Sequence, residues 1–170
     1  MRIKTFYGFE GAKKAKGISI IIDIFRATTV DSYLLSKNVK CIIPVATKEE
    51  AYALKKINPE YILLGEENGY KIAGFDIGNS PSEILKIKLD GKTIIHRSSR
   101  GTPGIMAAKQ ADEIILGNFV SVNAIISYLI SKKPENISIV AMDGKGSEDD
   151  LFADYLVDKL HKKNNINIKT

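Results

Sequence analysis

"ISIIIDIFRATT", residues 18–29, places isoleucine at both odd and even positions before turning polar at Asp23, Arg26, Thr28 and Thr29. A strand that buries one face alternates apolar with polar side chains, whereas one covered on both faces is apolar nearly throughout. Residues 18–24 therefore read as a buried strand. A helix at 28–37 follows, with Asn38 suited to its left-handed end. Comparable runs stand at 41–45, 61–64, 93–96, 113–116 and 137–142. Between them lie helix patterns: Thr47 and Glu50 have capping-box spacing before 51–56, Ser147 and Asp150 start a helix to about Lys162, and 120–132 stops before Pro134. Strand and helix in regular alternation predict an α/β fold, three layers (α/β/α) with a largely parallel or mixed sheet.

The 170 residues are enough for one sizeable core, so residues 1–170 read as a single α/β domain. The net charge of +5 comes from lysines interleaved with acids, and no basic tract reaches five residues. That pattern speaks against nucleic acid as a partner. Residues 1–16 are polar and no apolar run approaches the roughly 18 residues of a membrane span. The expectation is a cytoplasmic protein without a membrane partner, with a homo-oligomer left open. Cys41 is the only cysteine, which rules out an internal disulfide and a thiolate zinc cluster; in "KCIIPV" it reads as a small buried hydrophobe.

Ligands of open α/β sheets collect beyond the carboxyl ends of the strands, where the next helices aim their N-termini. Sorted by that rule, Asp23, Arg26, Thr28 and Thr29, then Glu66 and Glu67, then "HRSSRGTPG" (96–104), then Asp143, Glu148 and Asp149 share one edge. In 96–104, Thr102 suits an N-cap and Pro103 the first helical position, while Ser98, Ser99 and the Gly101 backbone can turn donors toward an anion. Arg97 and Arg100 add charge-assisted donors, although alternation means both need not face the same side. An ordinary capped turn explains the same residues. "DIFRATT" has three readings. A haloacid-dehalogenase-like nucleophile wants a second acid two residues on, where Phe25 stands. Asp23 can instead cap the helix or pair with Arg26, or it can be a hard oxygen ligand for Mg²⁺ beside an Arg26 oxyanion clamp. No Walker lysine pattern occurs, "GKGSED" lacks the third dinucleotide glycine, and Cys41 is not on a phosphate loop. His96, at a strand terminus beside the candidate anion loop, is placed to touch substrate or shuttle a proton. The segment 66–82, "EENGYKIAGFDIGNSPS", is too apolar for a spacer and reads as a structured functional loop.

The blocks "IIDIFRATT", "IPVATKEEA", "LLGEENGYKIAGFDIGNSP", "GKTII", "ADEIILGNF" and "SEDDLFADYLVDKL" occur in order over nearly the whole chain and together resemble the 2-phosphosulfolactate phosphatases of coenzyme M biosynthesis. The resemblance implies a Mg²⁺-dependent hydrolase of the small anionic substrate 2-phospho-3-sulfolactate. It implies that Asp23, Arg26, Thr28, Thr29, Glu66, Asp76, Asn79, Ser80, the loop Ser98, Ser99, Arg100, Gly101 and Thr102, and Glu148 and Asp149 line the site. In this reading Mg²⁺ is held by some of Asp23, Glu66, Asp76 and Glu148. Arg26, Arg100 and the Gly101 and Thr102 amides hold oxyanions, and Asp149 activates water; direct water attack and a phosphoenzyme both stay open. Departures exist: Arg100 stands for an asparagine, Glu67-Asn68 replaces an arginine-glycine pair, and family members run several tens of residues further. A non-catalytic small-anion-binding relative is the alternative.

Overall fold

The computed structural model describes residues 1–164. Its elements in order are β1 (Arg2–Tyr7), α1 (Gly8–Ala12), β2 (Gly17–Ile22), α2 (Ala27–Ser36), β3 (Cys41–Pro44), α3 (Lys48–Ile57), β4 (Ile62–Glu67), β5 (Tyr70–Lys71), α4 (Pro81–Ile84), β6 (Thr93–Arg97), α5 (Gly101–Ala107), β7 (Ala111–Gly117), α6 (Val122–Lys132), β8 (Asn136–Ala141) and α7 (Glu148–Asn164). The fold is α/β. Its strands divide between two four-stranded sheets, ordered β1-β8-β2-β7 and β3-β6-β4-β5. All pairings are parallel except the short β4–β5 ladder.

The isoleucines of β2 explain why the first sheet is covered on both sides. Ile18, Ile20 and Ile22 pack against Val122, Ile125, Ile126 and Leu129 of α6 and against Phe152, Ala153, Leu156 and Leu160 of α7. Ile21 points the other way, with Val140, onto Ala12 and Ala15. The second sheet repeats the arrangement: Leu64 and Ile94 meet Val30 and Leu34 of α2, while Leu63 and Ile95 meet Ala51 of α3 and Phe75. Each isoleucine, leucine, valine or phenylalanine so withdrawn from water stabilises by about 1.5–3 kcal/mol. Helix α5 touches β2 as well as β3 and β6, and so bridges the sheets.

The capping box forms, with Thr47 accepting from the Glu50 amide and the Glu50 carboxylate accepting from the Thr47 amide. Asn38 takes the left-handed conformation at φ 56°. Strand β1 and helix α1 have no counterpart in the sequence reading. Cys41 is exposed at the start of β3, not buried, because that strand has no partner on its outer side. Among the described residues no helix is long and apolar enough to cross a membrane.

Candidate active site

At the carboxyl ends of both sheets lies a cavity of about 450 Å³. The first sheet contributes Asp23, Phe25 and Arg26 after β2, and Asp143, Glu148 and Asp149 after β8. The second contributes Glu66, Asn68 and Gly69 at the β4–β5 turn, Ser99 and Arg100 after β6, and Asn79. Acids and anion-binding groups thus meet across the junction of the sheets.

The acids differ in what their oxygens already do. Asp23 Oδ1 accepts from the Ala27 amide at 3.3 Å, so it caps α2 while facing the cavity. Burial pushes its carboxyl above the ordinary range, against the Ala27 amide and the pull of His96. Asp149 is buried; its Oδ1 accepts from the Ile24 amide at 2.8 Å and its Oδ2 from the Asp143 amide at 3.1 Å, tying the loop after β2 to the loop after β8. Burial first, and the neighbouring Asp23 and Glu148 carboxylates, push Asp149 up to about 6 although both amides favour the ionised form. Glu66 takes three donors: the Ser99 amide at 2.6 Å, the Ser99 hydroxyl at 3.1 Å and the Gly69 amide at 2.6 Å. Glu148 faces the cavity, and its carboxylate has no hydrogen-bond partner among the described residues.

Several residues expected at the site are elsewhere. Asp76 accepts from the Leu63 amide at 2.8 Å and pairs with Lys55 at 3.5 Å, outside the cavity. The reason is register: the segment through Ile77 runs parallel to β4, bridged at Leu64, so Asn79 arrives beside the carboxyl end while Asp76 stays three residues behind, roughly 10 Å. Ser80 is the N-cap of α4, its hydroxyl 2.9 Å from that of Ser82 rather than in the cavity. Thr28 is fully buried, its hydroxyl within 2.8 Å of the Gly117 carbonyl, and Thr29 is not on the cavity wall. Ser98 and Thr102 cap one another: the Thr102 amide donates to Ser98 Oγ at 3.0 Å and the Ser98 amide to Thr102 Oγ1 at 2.8 Å, both buried. The N-cap of α5 is accordingly Arg100, not Thr102, and Pro103 is its third residue. Gly101 lies behind the wall, against Asp23: a Cβ there would come within 2.7 Å of Asp23 Oδ2, so only glycine fits.

Arg100 pairs with Asp143 at the cavity, whereas Arg97 turns away, donating to the Glu66 carbonyl at 2.6 Å and to Glu67 at 3.2 Å. Arg26 lines the cavity without an ion pair among the described residues. His96 is wholly buried and off the cavity wall, held between Asp31 and Asn79, so it is not placed to touch substrate. Asp31, Phe25 and Asn68 had no place in the sequence-derived site, and Asp143 was sorted to the shared edge without a role. For Asp31 a signal existed: it interrupts the stripe Ala27, Val30, Leu34 that buries one face of α2.

Mg²⁺ can be tested against these donors. Among the described residues no group of three His, Cys, Asp or Glu side chains forms a metal cage. Mg²⁺ does not require one: it binds through one or two carboxylates and completes its octahedron with water and substrate phosphate. Asp23 and Glu148, hard oxygen donors with unshared lone pairs on the cavity wall, suit that mode. Glu66, whose oxygens already accept from Ser99 and Gly69, and the distant Asp76 suit it poorly.

Architecture and cavity define an α/β protein that gathers carboxylates and anion-binding groups beyond the strand ends. The family description "2-phosphosulpholactate phosphatase" matches residues 7–169, and the chain belongs to that family. Relatives named "Probable 2-phosphosulfolactate phosphatase" include one from Caldanaerobacter subterraneus subsp. tengcongensis, 38% identical over 136 residues (78% of this chain, 56% of the relative). Another, from Thermotoga petrophila, is 38% identical over 149 residues (87% and 64%), and one from Bacillus subtilis is 32% identical over 159 residues (92% and 69%). The chain spans 56% and 64% of the length of the first two.

Proposed function

We propose that this chain is a Mg²⁺-dependent phosphoric monoester hydrolase, with 2-phospho-3-sulfolactate as substrate and 3-sulfolactate and phosphate as products. The observation that carries the proposal is the meeting, in one cavity, of the acids Asp23, Glu148 and Asp149 with Arg26, Arg100 and Asn79. A substrate bearing phosphate, carboxylate and sulfonate groups needs cationic and N–H donors, and its hydrolysis needs an acceptor for a proton of water. Arg26 and Arg100 would clamp the oxyanions. Asp23 and Glu148 would hold Mg²⁺, which when bound supplies positive charge to a phosphate oxygen. Asp149, whose two amide contacts leave each oxygen a lone pair, would take the proton as water attacks phosphorus and the ester P–O bond breaks, the departing alkoxide taking up a proton from solvent. A group with its affinity for protons shifted toward neutrality is suited to that task.

The test is phosphate release from 2-phospho-3-sulfolactate with and without Mg²⁺, by the wild-type chain and by the variants Asp23→Asn and Glu148→Gln. Mg²⁺-stimulated release that drops at least 100-fold in both variants is expected; full activity in both overturns the site assignment. A second reading, a non-catalytic binder of small anions, draws support from Arg26 and Arg100 on the cavity wall, which suit an anion whether or not it is hydrolysed.

A further inference from the structure

The buried ring of His96 has an acceptor on each side. Its Nδ1 lies 2.7 Å from Asp31 Oδ1, and its Nε2 lies 3.2 Å from Asn79 Oδ1. Ring, carboxylate and amide are all buried, at 0%, 2% and 4% exposure, so the ring nitrogens are paired with these two side chains. Only an imidazolium donates from both nitrogens. A neutral ring that keeps its Nδ1–H toward Asp31 would present a bare Nε2 and require the Asn79 NH₂ group there instead, turning the Asn79 carbonyl toward the cavity. The charge on His96 and the polarity that Asn79 shows to the cavity are therefore coupled. With Oδ1 fixed by the ring, Asn79 Nδ2 has no hydrogen-bond partner among the described residues although Asn79 lines the cavity. Acceptors are already plentiful on that wall in Asp23, Glu66 and Glu148, whereas an anionic ligand needs donors.

We propose that Asp31 and His96 are positioning residues: Asp31 holds His96 as an imidazolium, His96 pins Asn79 Oδ1, and Asn79 thereby offers its NH₂ group to a phosphate oxygen. A buried ion pair is costly to desolvate and contributes little net stability, so a role in fixing orientation accounts better for its place next to the cavity. The part concerning phosphate rests on the hydrolase reading; the charge on the ring does not.

The two parts separate experimentally. In His161→Gln protein, His96 is the only imidazole, and ¹⁵N NMR of the labelled ring at neutral pH reads its protonation directly. Two protonated ring nitrogens are expected, and one bare nitrogen overturns the proposal. In Asp31→Asn the ring should lose one proton, the amide should turn, and affinity for inorganic phosphate should fall about tenfold, the equivalent of one hydrogen bond. Unchanged phosphate affinity in a folded Asp31→Asn protein overturns the link to Asn79. Should that variant not fold, Asn79→Ala is expected to lose phosphate affinity to the same extent while leaving the ring charged; unchanged affinity there is equally fatal to the link. A wild-type chain that keeps both ring protons yet binds no phosphate sinks the hydrolase reading and the offered donor, leaving only the orienting of the amide.

Discussion

Asp149 is the residue where stability and proposed chemistry make opposite demands. Its carboxyl is raised from an ordinary 3.8 to about 6, so the folded chain binds that proton more tightly than the unfolded chain does. The stability it contributes is complete below 3.8 and is lost as pH rises through about 6, a cost of about 3 kcal/mol at neutral pH. Asp149→Asn carries no such dependence. The urea-unfolding stability of wild type relative to this variant should therefore fall by about that amount between pH 3 and pH 7; a constant difference would show that the carboxyl is not perturbed. The same titration should give hydrolysis an acid limb near pH 6, with activity rising as Asp149 ionises, and the variant should lose at least 100-fold in kcat/KM. Asp149 was legible in the sequence as an acid beyond a strand end. Its clamp on two loops was not, because hydrogen bonds from Ile24 and Asp143 depend on how β2 and β8 sit side by side.

At the scale of elements, local chemistry was readable and register was not. The Thr47–Glu50 box lies wholly within four residues, and it is present as the spacing predicts. Thr47→Ala should lower unfolding free energy by about 1 kcal/mol with phosphate affinity unchanged, since α3 contributes nothing to the cavity wall. A change in affinity would mean that α3 holds the site indirectly. The start of α5 shows the opposite case: Thr102 has the right chemistry for a cap, but mutual bonding with Ser98 moves the helix start to Arg100. Strand β1 is not legible in the sequence because "RIKTFY" buries only Ile3 and so carries no apolar pattern. Asp76 and Asn79 belong to one motif, and nothing in that motif tells which of them reaches the end of β4.

For the whole molecule, the apolar runs announced covered parallel strands but not their partition into two sheets, which is set by contacts between distant segments such as β1 with β8. The candidate site depends on that partition, its acids coming mainly from one sheet and its anion-binding groups mainly from the other. Ligands that bind only the folded state raise its melting temperature. Phosphate and Mg²⁺ together should raise Tm by more than the sum of their separate effects if both sit in the shared cavity. A rise with phosphate alone, untouched by Mg²⁺ and without turnover, is the signature of the non-catalytic binder.

The pairing of Arg100 with Asp143 adds a criterion for what can enter. An arriving oxyanion competes with a carboxylate already in place, so occupancy is an exchange of one counterion for another. Acetate, no stronger a partner than Asp143 itself, gains little by the exchange, whereas a molecule bearing several negative groups can release Asp143 and still gain contacts with Arg26. Under the proposed function, discrimination by number of charges would thus begin at the Arg100–Asp143 pair, before any bond is broken.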